Sequence, residues 1–227
     1  MAQAGTKLDQ KTEQEMNQEE HQEIQENSQE TSIYSDYRPR LEEVRRHLVA
    51  QVQRIRERMQ RERGMDPVEH CLSRIKSEES MREKCRRKGL PETTESALHV
   101  IHDAVGVRVV CSFLSDVYLI RDHLAALPDV QVLEEKDYIR HAKPNGYRSY
   151  HMILLVGGSI HAEVQLRTIS QDTWAALEHQ LKYKKQPGTG DSLIVAELKR
   201  CADELASTDI SMQTIRDMIA EQKEEGE

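Results

Sequence analysis

Rings are scarce in this 227-residue chain: one Trp, one Phe and seven Tyr make up 4% of it. Any surface that stacks on a planar ligand must therefore rely on tyrosine. Cysteine is sparse as well. Cys71, Cys85, Cys111 and Cys201 are scattered without metal-ligand spacing, which argues against a zinc module or a disulfide framework and for reduced thiols. No apolar run approaches the roughly 18–20 residues of a membrane span. The first residues lack a basic segment followed by an apolar one, so no secretory leader is expected. These absences together predict a cytoplasmic protein with no membrane partner. The familiar phosphate loops, GxxxxGKS/T and GxGxxG, are missing, as are the kinase signatures. No internal repeat is present.

Charge is plentiful but uneven. The net charge is −8, yet residues 1–31 hold 8 acids against 2 lysines and residues 221–227 hold 4 acids against 1 lysine. The segment between them is nearly neutral, with 28 acids and 29 bases. Within it, residues 38–88 carry 16 Lys/Arg against 9 Asp/Glu. Acidity in the tails and a basic stretch behind them permit an anionic partner that the total would discourage.

The Gln/Glu-rich opening has too few large apolar residues to offset the entropy of ordering, so residues 1–34 read as a disordered or loosely helical tail. Ser35 or Asp36 is placed to cap a helix running to about Arg63. Leu41, Val44, Leu48, Val52, Ile55 and Met59 step by three or four along it and give one buried stripe. An extended piece, His70 to Lys76, leads to a helix from Ser77 to Lys88, closed by Gly89. Val105 to Phe113 reads as a buried strand, Leu119 to Leu127 as a helix and Val130 to Ile139 as a strand. Tyr150 to Val156 and Ile160 to Thr168 flank Gly157–Gly158–Ser159, a hairpin signal. A helix from about Ser170 to Lys184 places Trp174, Leu177 and Leu181 on one face. Pro187 to Gly190 breaks the chain before a long helix, about Ser192 to Lys223. The fold class is α+β, a mixed β-sheet of about five strands flanked by helices. The expected domain lies at 35–190, with 191–227 as a C-terminal helix.

Chemistry concentrates on Ile160 to Thr168. Strand alternation puts Ile160, Ala162, Val164 and Leu166 on one face and His161, Glu163, Gln165 and Arg167 on the other. Four polar groups on so apolar a strand need partners or a wet cleft; a solvent-facing edge hairpin is the plainer alternative. The turn-rich Lys143-Pro-Asn-Gly-Tyr147-Arg148-Ser149 can hold a phosphorylated planar ligand, or it is an ordinary solvated turn. Ser80, Lys84 and Arg87 share a helix face, and Arg74 and Lys76 share strand parity just before it. Five such donors suit a polyphosphate, although charge runs often mean only a solvated face. Asp103 precedes the Val-rich strand that carries Arg108. Paired with Glu163, it offers Mg²⁺ hard oxygen ligands that substrate phosphates would complete. The residues alone lead to a Mg²⁺-dependent phosphate-handling site and no further.

The order of these segments resembles the synthetase domain of the RelA/SpoT homologue family, and most of all its single-domain small alarmone synthetases. The residues that carry the likeness are Arg74-Ile-Lys76, Ser80 with Lys84 and Arg86-Arg87-Lys88, and His102-Asp103-Ala-Val-Gly-Val-Arg108. Lys136-Asp137-Tyr138-Ile, Asn145-Gly-Tyr147-Arg-Ser-Tyr-His151, Glu163-Val-Gln165-Leu-Arg-Thr168 and Trp174-Ala-Ala-Leu-Glu178-His179 continue it. The resemblance implies a nucleotidyltransferase-like synthetase fold. It implies transfer of the β,γ-pyrophosphoryl group of ATP to the ribose 3′-hydroxyl of GDP or GTP, or of GMP, giving (p)ppGpp and AMP. On this likeness Asp103 and Glu163 are the catalytic pair and hold Mg²⁺, and Glu163 also activates the 3′-hydroxyl. Arg74, Lys76, Ser80, Lys84, Arg87 and Arg108 match the ATP side. Tyr147 matches the residue that stacks on guanine, and Lys136, Lys143, His151, Gln165 and Asp172 line the acceptor side. Asp172 stands where some relatives carry Asn. The likeness further implies a homo-oligomer, a tetramer in single-domain relatives, and allosteric binding of product or single-stranded RNA. Leu198, Leu205, Met212 and Ile219, spaced by seven, are a candidate partner-helix stripe. Two other functions fit the same motifs: a toxin-like relative acting on the 3′ end of tRNA, and a non-enzymatic nucleotide- or RNA-binding regulator.

Overall fold

A computed structural model describes residues 32–183 and 191–224. The acidic segment 1–31 and the break at 187–190 lie outside the described residues. Helix α1 spans Arg38–Arg63. Its stripe of Leu41, Val44, Leu48, Val52, Ile55 and Met59 is buried, as the spacing predicts. Neither Ser35 nor Asp36 caps it: Ser35–Tyr37 form a 3-10 turn and the helix starts without a side-chain cap, with a proline in its first turn. Ile33 and Tyr34, grouped by composition with the tail, are instead fully packed in the core. The Tyr34 hydroxyl donates to Lys76 O at 2.7 Å, which satisfies the buried phenol and ties the start of the domain to the end of the first strand.

Five strands make one sheet: β1 (Val68–Ile75), β2 (Val105–Cys111), β3 (Val130–Asp137), β4 (Tyr150–Val156) and β5 (Ile160–Thr168). Their spatial order is β1-β2-β5-β4-β3. The β2–β5 pairing is parallel and the rest are antiparallel, so the sheet is mixed, as expected. Gly157 and Gly158 take positive φ, 57° and 66°, and close the β4–β5 hairpin that this dipeptide signals. Helix α2 (Glu78–Lys88) follows β1, and Ser77 Oγ accepts from Ser80 N at its start. A single π-helical turn at Ser96–Val100 leads into β2. Helix α3 (Leu114–Ala125) begins five residues before the expected Leu119. Asp116 accepts from Phe113 N, so the chain turns helical directly after Phe113, in a stretch the apolar pattern leaves unassigned. Helices α4 (Ile169–Tyr183) and α5 (Asp191–Glu224) complete the fold.

The sheet has two chemically distinct faces. Val105, Val107, Val109, Ala162, Val164, Leu166, Met152 and Leu154 are buried with the stripe of α1 and with Val117, Ile120 and Leu124 of α3. At roughly 25 cal/mol per Å² of apolar surface removed from water, this layer supplies the main stabilisation of the domain. The opposite face carries the polar alternates and remains accessible. Helix α4 buries Trp174, whereas Leu177 and Leu181, assigned to the same face, are about half exposed (54% and 52%).

Candidate active site

Register decides which polar residues meet. Across the sheet Leu72 pairs with Arg108, Arg108 with Gln165, Gln165 with His151 and His151 with Lys136. One step along, Arg74 pairs with Gly106 and Gly106 with Glu163. Because parity is conserved across paired strands, all of these side chains stand on the same face. They floor an open cleft of about 200 Å³ lined by Arg74, Asp103, Gly106, Arg108, Glu163 and Gln165, among others. Gly106 leaves the floor between Arg74 and Glu163 bare; a Cβ there would reach Arg74 Cγ at 3.8 Å.

One end of the cleft is cationic. Asp103 Oδ2 is held by Lys84 Nζ at 2.6 Å and Lys76 Nζ at 3.2 Å. Asp103 Oδ1 is buried and has no partner among the described residues. A carboxylate oxygen shielded from water with no donor could accept from a ligand or a hard cation. Arg74 and Arg87, both exposed, make no ion pair among the described residues. Ser80 begins α2, with its hydroxyl accepting from Ser77 Oγ at 2.9 Å.

The other end is a ring of interlocked polar side chains. Glu163 Oε2 accepts from Gln165 Nε2 at 3.1 Å, and its Oε1 lies 3.5 Å from His151 Nδ1. Burial pushes the Glu163 carboxyl up, but His151, Gln165 and Lys84 outweigh it and hold the group below the usual carboxylate range. Tyr147 Oη is 2.8 Å from His151 Nε2 and accepts from Arg167 Nη2 at 2.7 Å. The Lys143 ammonium sits over the rings of Tyr138 and Tyr147, at 4.5 and 5.0 Å from their centroids. Asp172 Oδ1 takes Arg167 Nη1 at 3.0 Å and lies 3.4 Å from Arg108 Nη1. Burial and the neighbouring Arg167 hold the Arg108 guanidinium below its ordinary value, and Asp172 counters them only in part.

The 143–147 turn is fixed from behind. Gly146 has φ +93°, and a Cβ there would lie 2.7 Å from Ala202 Cβ of α5, so backbone and helix are in contact. Arg148 donates to Gly146 O at 3.1 Å and to Asp203 Oδ1 at 2.9 Å, and Trp174 Nε1 donates to Leu198 O at 2.8 Å. Leu198 and Leu205 are half-buried, Leu205 beside Gly146 and Trp174, while Met212 and Ile219 are exposed.

Among the residues expected from the sequence, Asp103, Lys76, Lys84, Arg74, Arg108, Glu163 and Gln165 converge on the cleft, and Tyr147, His151, Lys143 and Asp172 on its neighbouring ring. Lys136 shares the face but is tied to Glu134 Oε1 at 2.8 Å. Arg108, expected on the ATP side, bridges toward Asp172. Arg167 was placed on the face by alternation but given no role; its 4% exposure and its contacts across 20 residues to Tyr147 are what bring it into the site.

Comparison with known proteins fits this arrangement. Residues 73–188 match the family model described as "Region found in RelA / SpoT proteins". The chain belongs to the RelA/SpoT family. GTP pyrophosphokinase YjbM of Bacillus subtilis is 32% identical over 192 residues, 82% of this chain and 87% of the relative. GTP pyrophosphokinase YwaC of the same organism is 42% identical over 147 residues, 62% of this chain and 70% of the relative. Among solved structures, the small alarmone synthetase 1 of B. subtilis bound to its product pppGpp superposes with TM-score 0.71 at 29% identity, covering 81% and 96% of the two chains. The likeness extends over the family's mixed sheet with its flanking helices.

Proposed function

We propose that this RelA/SpoT family member is a GTP pyrophosphokinase that transfers the β,γ-pyrophosphoryl group of ATP to the ribose 3′-hydroxyl of GDP or GTP. The 3′ oxygen attacks the β-phosphorus, the bond to the α-phosphate bridging oxygen breaks, AMP leaves and (p)ppGpp forms. The observation that carries this reading is the division of one cleft into two halves. A cationic end around Asp103 suits a polyphosphate, and a tyrosine-bearing end is hydrogen-bonded through His151 to Glu163. The pyrophosphokinase relatives and the product-bound synthetase support it and favour no tRNA-directed or non-enzymatic reading.

The residues divide the work. Arg74, Lys76, Lys84 and Arg87 bind and orient the triphosphate, which concentrates charge that fixed cations offset. Tyr147 stacks on the acceptor base, and the base displaces the Lys143 ammonium toward the acceptor phosphates. Glu163 is anionic at neutral pH and takes the 3′-hydroxyl proton. Asp103, with its unpartnered Oδ1, and Glu163 fit a hard divalent cation held by one or two carboxylates plus substrate phosphates. Mg²⁺ bound there would neutralise phosphate charge and lower the pKa of the attacking hydroxyl. A second copy of the chain would cover the exposed Leu177, Leu181 and Leu193, giving a homo-oligomer. Among the described residues no helix is long and apolar enough to cross a membrane, and nucleotide substrates favour a cytoplasmic location.

The test is purified protein with ATP, Mg²⁺ and, in separate reactions, GMP, GDP, GTP and tRNA. AMP and a 3′-pyrophosphorylated guanosine nucleotide are expected. Label transferred to tRNA alone, or no AMP with any acceptor, overturns the reading.

A further inference from the structure

Both hydrogen-bonded arms that end on Glu163 start from a single nitrogen. Arg167 Nη2 donates to Tyr147 Oη at 2.7 Å and to Gln165 Oε1 at 3.1 Å. A guanidinium has donors and no acceptors, so both partners are forced to accept. Tyr147 Oη, having accepted, has its own proton left to give to His151 Nε2 at 2.8 Å. An imidazole whose Nε2 accepts carries its proton on Nδ1, the atom that faces Glu163 Oε1 at 3.5 Å. On the other arm, the Gln165 carbonyl turned to Arg167 leaves its amide to donate to Glu163 Oε2 at 3.1 Å. Every proton in the circuit therefore points toward the two oxygens of one carboxylate.

Arg167 is a costly residue to keep there. It is 4% exposed, and its Nε is buried with no acceptor among the described residues. Asp172 Oδ1, at 3.0 Å from Nη1, is its charge partner. A buried pair with one donor left unsatisfied is weak evidence for stabilisation, since apolar residues of similar volume often serve a core at least as well. What the pair does provide is a fixed direction for two chains of polar groups.

We infer that Arg167 is a positioning residue for pyrophosphoryl transfer, orienting Glu163 through Gln165 and coupling it to the acceptor-stacking ring through Tyr147 and His151. The inference rests on the assignment of Glu163 and Tyr147 in the proposed function. It adds that an acceptor base seated on Tyr147 steadies the hydroxyl at the head of one arm, so base recognition is transmitted to the carboxylate that takes the 3′ proton. It also gives Asp172 a task distinct from contacting the base: a carboxylate at this position balances Arg167, which a neutral amide would not.

Two variants separate this role from a structural one. Tyr147→Phe keeps the ring and removes the hydroxyl; Arg167→Lys keeps the charge and removes the fork. Each is expected to lower kcat by about 10- to 100-fold, as misplacement of a reacting group does, with the KM for ATP within about twofold of the parent. Since both break one circuit, the double variant should be little worse than the more impaired single one. If Arg167 only supports the fold, Arg167→Lys lowers the melting temperature while Tyr147→Phe turns over like the parent, and the inference falls. Losses that multiply in the double variant also overturn it. Should Arg167→Lys fail to fold, the kcat of Tyr147→Phe decides alone. The parent protein in the same assay keeps the two readings apart. A parent that releases no AMP removes the proposed function itself, whereas an active parent with an unimpaired Tyr147→Phe removes only the role of Arg167.

Discussion

Gly146→Ala tests whether α5 braces the acceptor side of the site. The new methyl meets two separate costs. At φ +93° an L side chain is strained by about 1–2 kcal/mol. The added carbon would also sit 2.7 Å from Ala202 Cβ and 3.1 Å from Lys199 Cα, where carbons at their optimum lie about 3.5–4.0 Å apart. Overpacking of this kind costs about 1–3 kcal/mol. The sum, about 2–5 kcal/mol, must be taken up by either the turn or the helix. Helix α5 is held by Trp174 Nε1 on Leu198 O, by Thr168 Oγ1 on Asp209 Oδ2 at 2.6 Å and by Arg216 on Asp116 at 2.8 Å. The turn is therefore expected to yield first, carrying Tyr147 away from Arg167 and His151. The acceptor KM should rise by about tenfold or more while the ATP KM changes little, and the melting temperature should fall by several degrees. Adding Ala202→Gly removes the closer clash but leaves the φ strain, so it should restore part of the stability and not all of it. Steady-state kinetics with each substrate varied, alongside thermal unfolding, reads both effects. Gly146→Ala with the parent's stability and acceptor KM would refute the bracing role, as would an Ala202→Gly partner that restores nothing.

Three further outcomes follow from the same contacts. Glu163→Gln should lower kcat by about 10²–10⁴-fold while leaving the circular dichroism spectrum unchanged, measured as AMP release per folded protein. Asp66 accepts from Arg56 Nη2 at 2.6 Å and Val68 N at 2.9 Å; burial raises its carboxyl, but these partners hold it below the usual range. A depressed folded-state pKa gives stability that is present above the unfolded value and lost as pH falls through the folded one. Asp66→Asn should therefore cost about 1 kcal/mol at pH 7, discounted for a pair this exposed, with the gap closing below the usual carboxylate range in urea titrations. Leu177→Lys with Leu181→Lys should shift the light-scattering mass toward a single chain of 26.2 kDa if a second copy covers that face; an unchanged larger mass places the interface elsewhere.

Local pattern was enough wherever the sequence period carried the information. Alternation located β4 and β5 to the residue and put Glu163, Gln165 and Arg167 on one face, while three- and four-residue steps gave the buried stripe of α1. What it could not carry were partners far apart in the chain. The contact of Gly146 with Ala202 and the hold of Arg167 on Tyr147 depend on how α5 and the 143–147 turn meet β5. Spacing put Trp174, Leu177 and Leu181 on one helix face but could not say that only Trp174 would be buried. Ile33 and Tyr34 were assigned to the tail by the composition around them, and two packed side chains are too few to alter a composition.

The single parallel pairing, β2 with β5, also sets an order of assembly. The antiparallel β4–β5 pair joins through a short hairpin, whereas β2 meets β5 only after the intervening α3, β3 and β4 have been made. As the chain leaves the ribosome, Lys76, Lys84 and Asp103 are available long before Glu163 can come alongside Gly106. The cationic end around Asp103 and the carboxylate of Glu163 thus come from two distant stretches of chain that only closure of the sheet brings together. Completion of the site is therefore tied to closing the middle of the sheet.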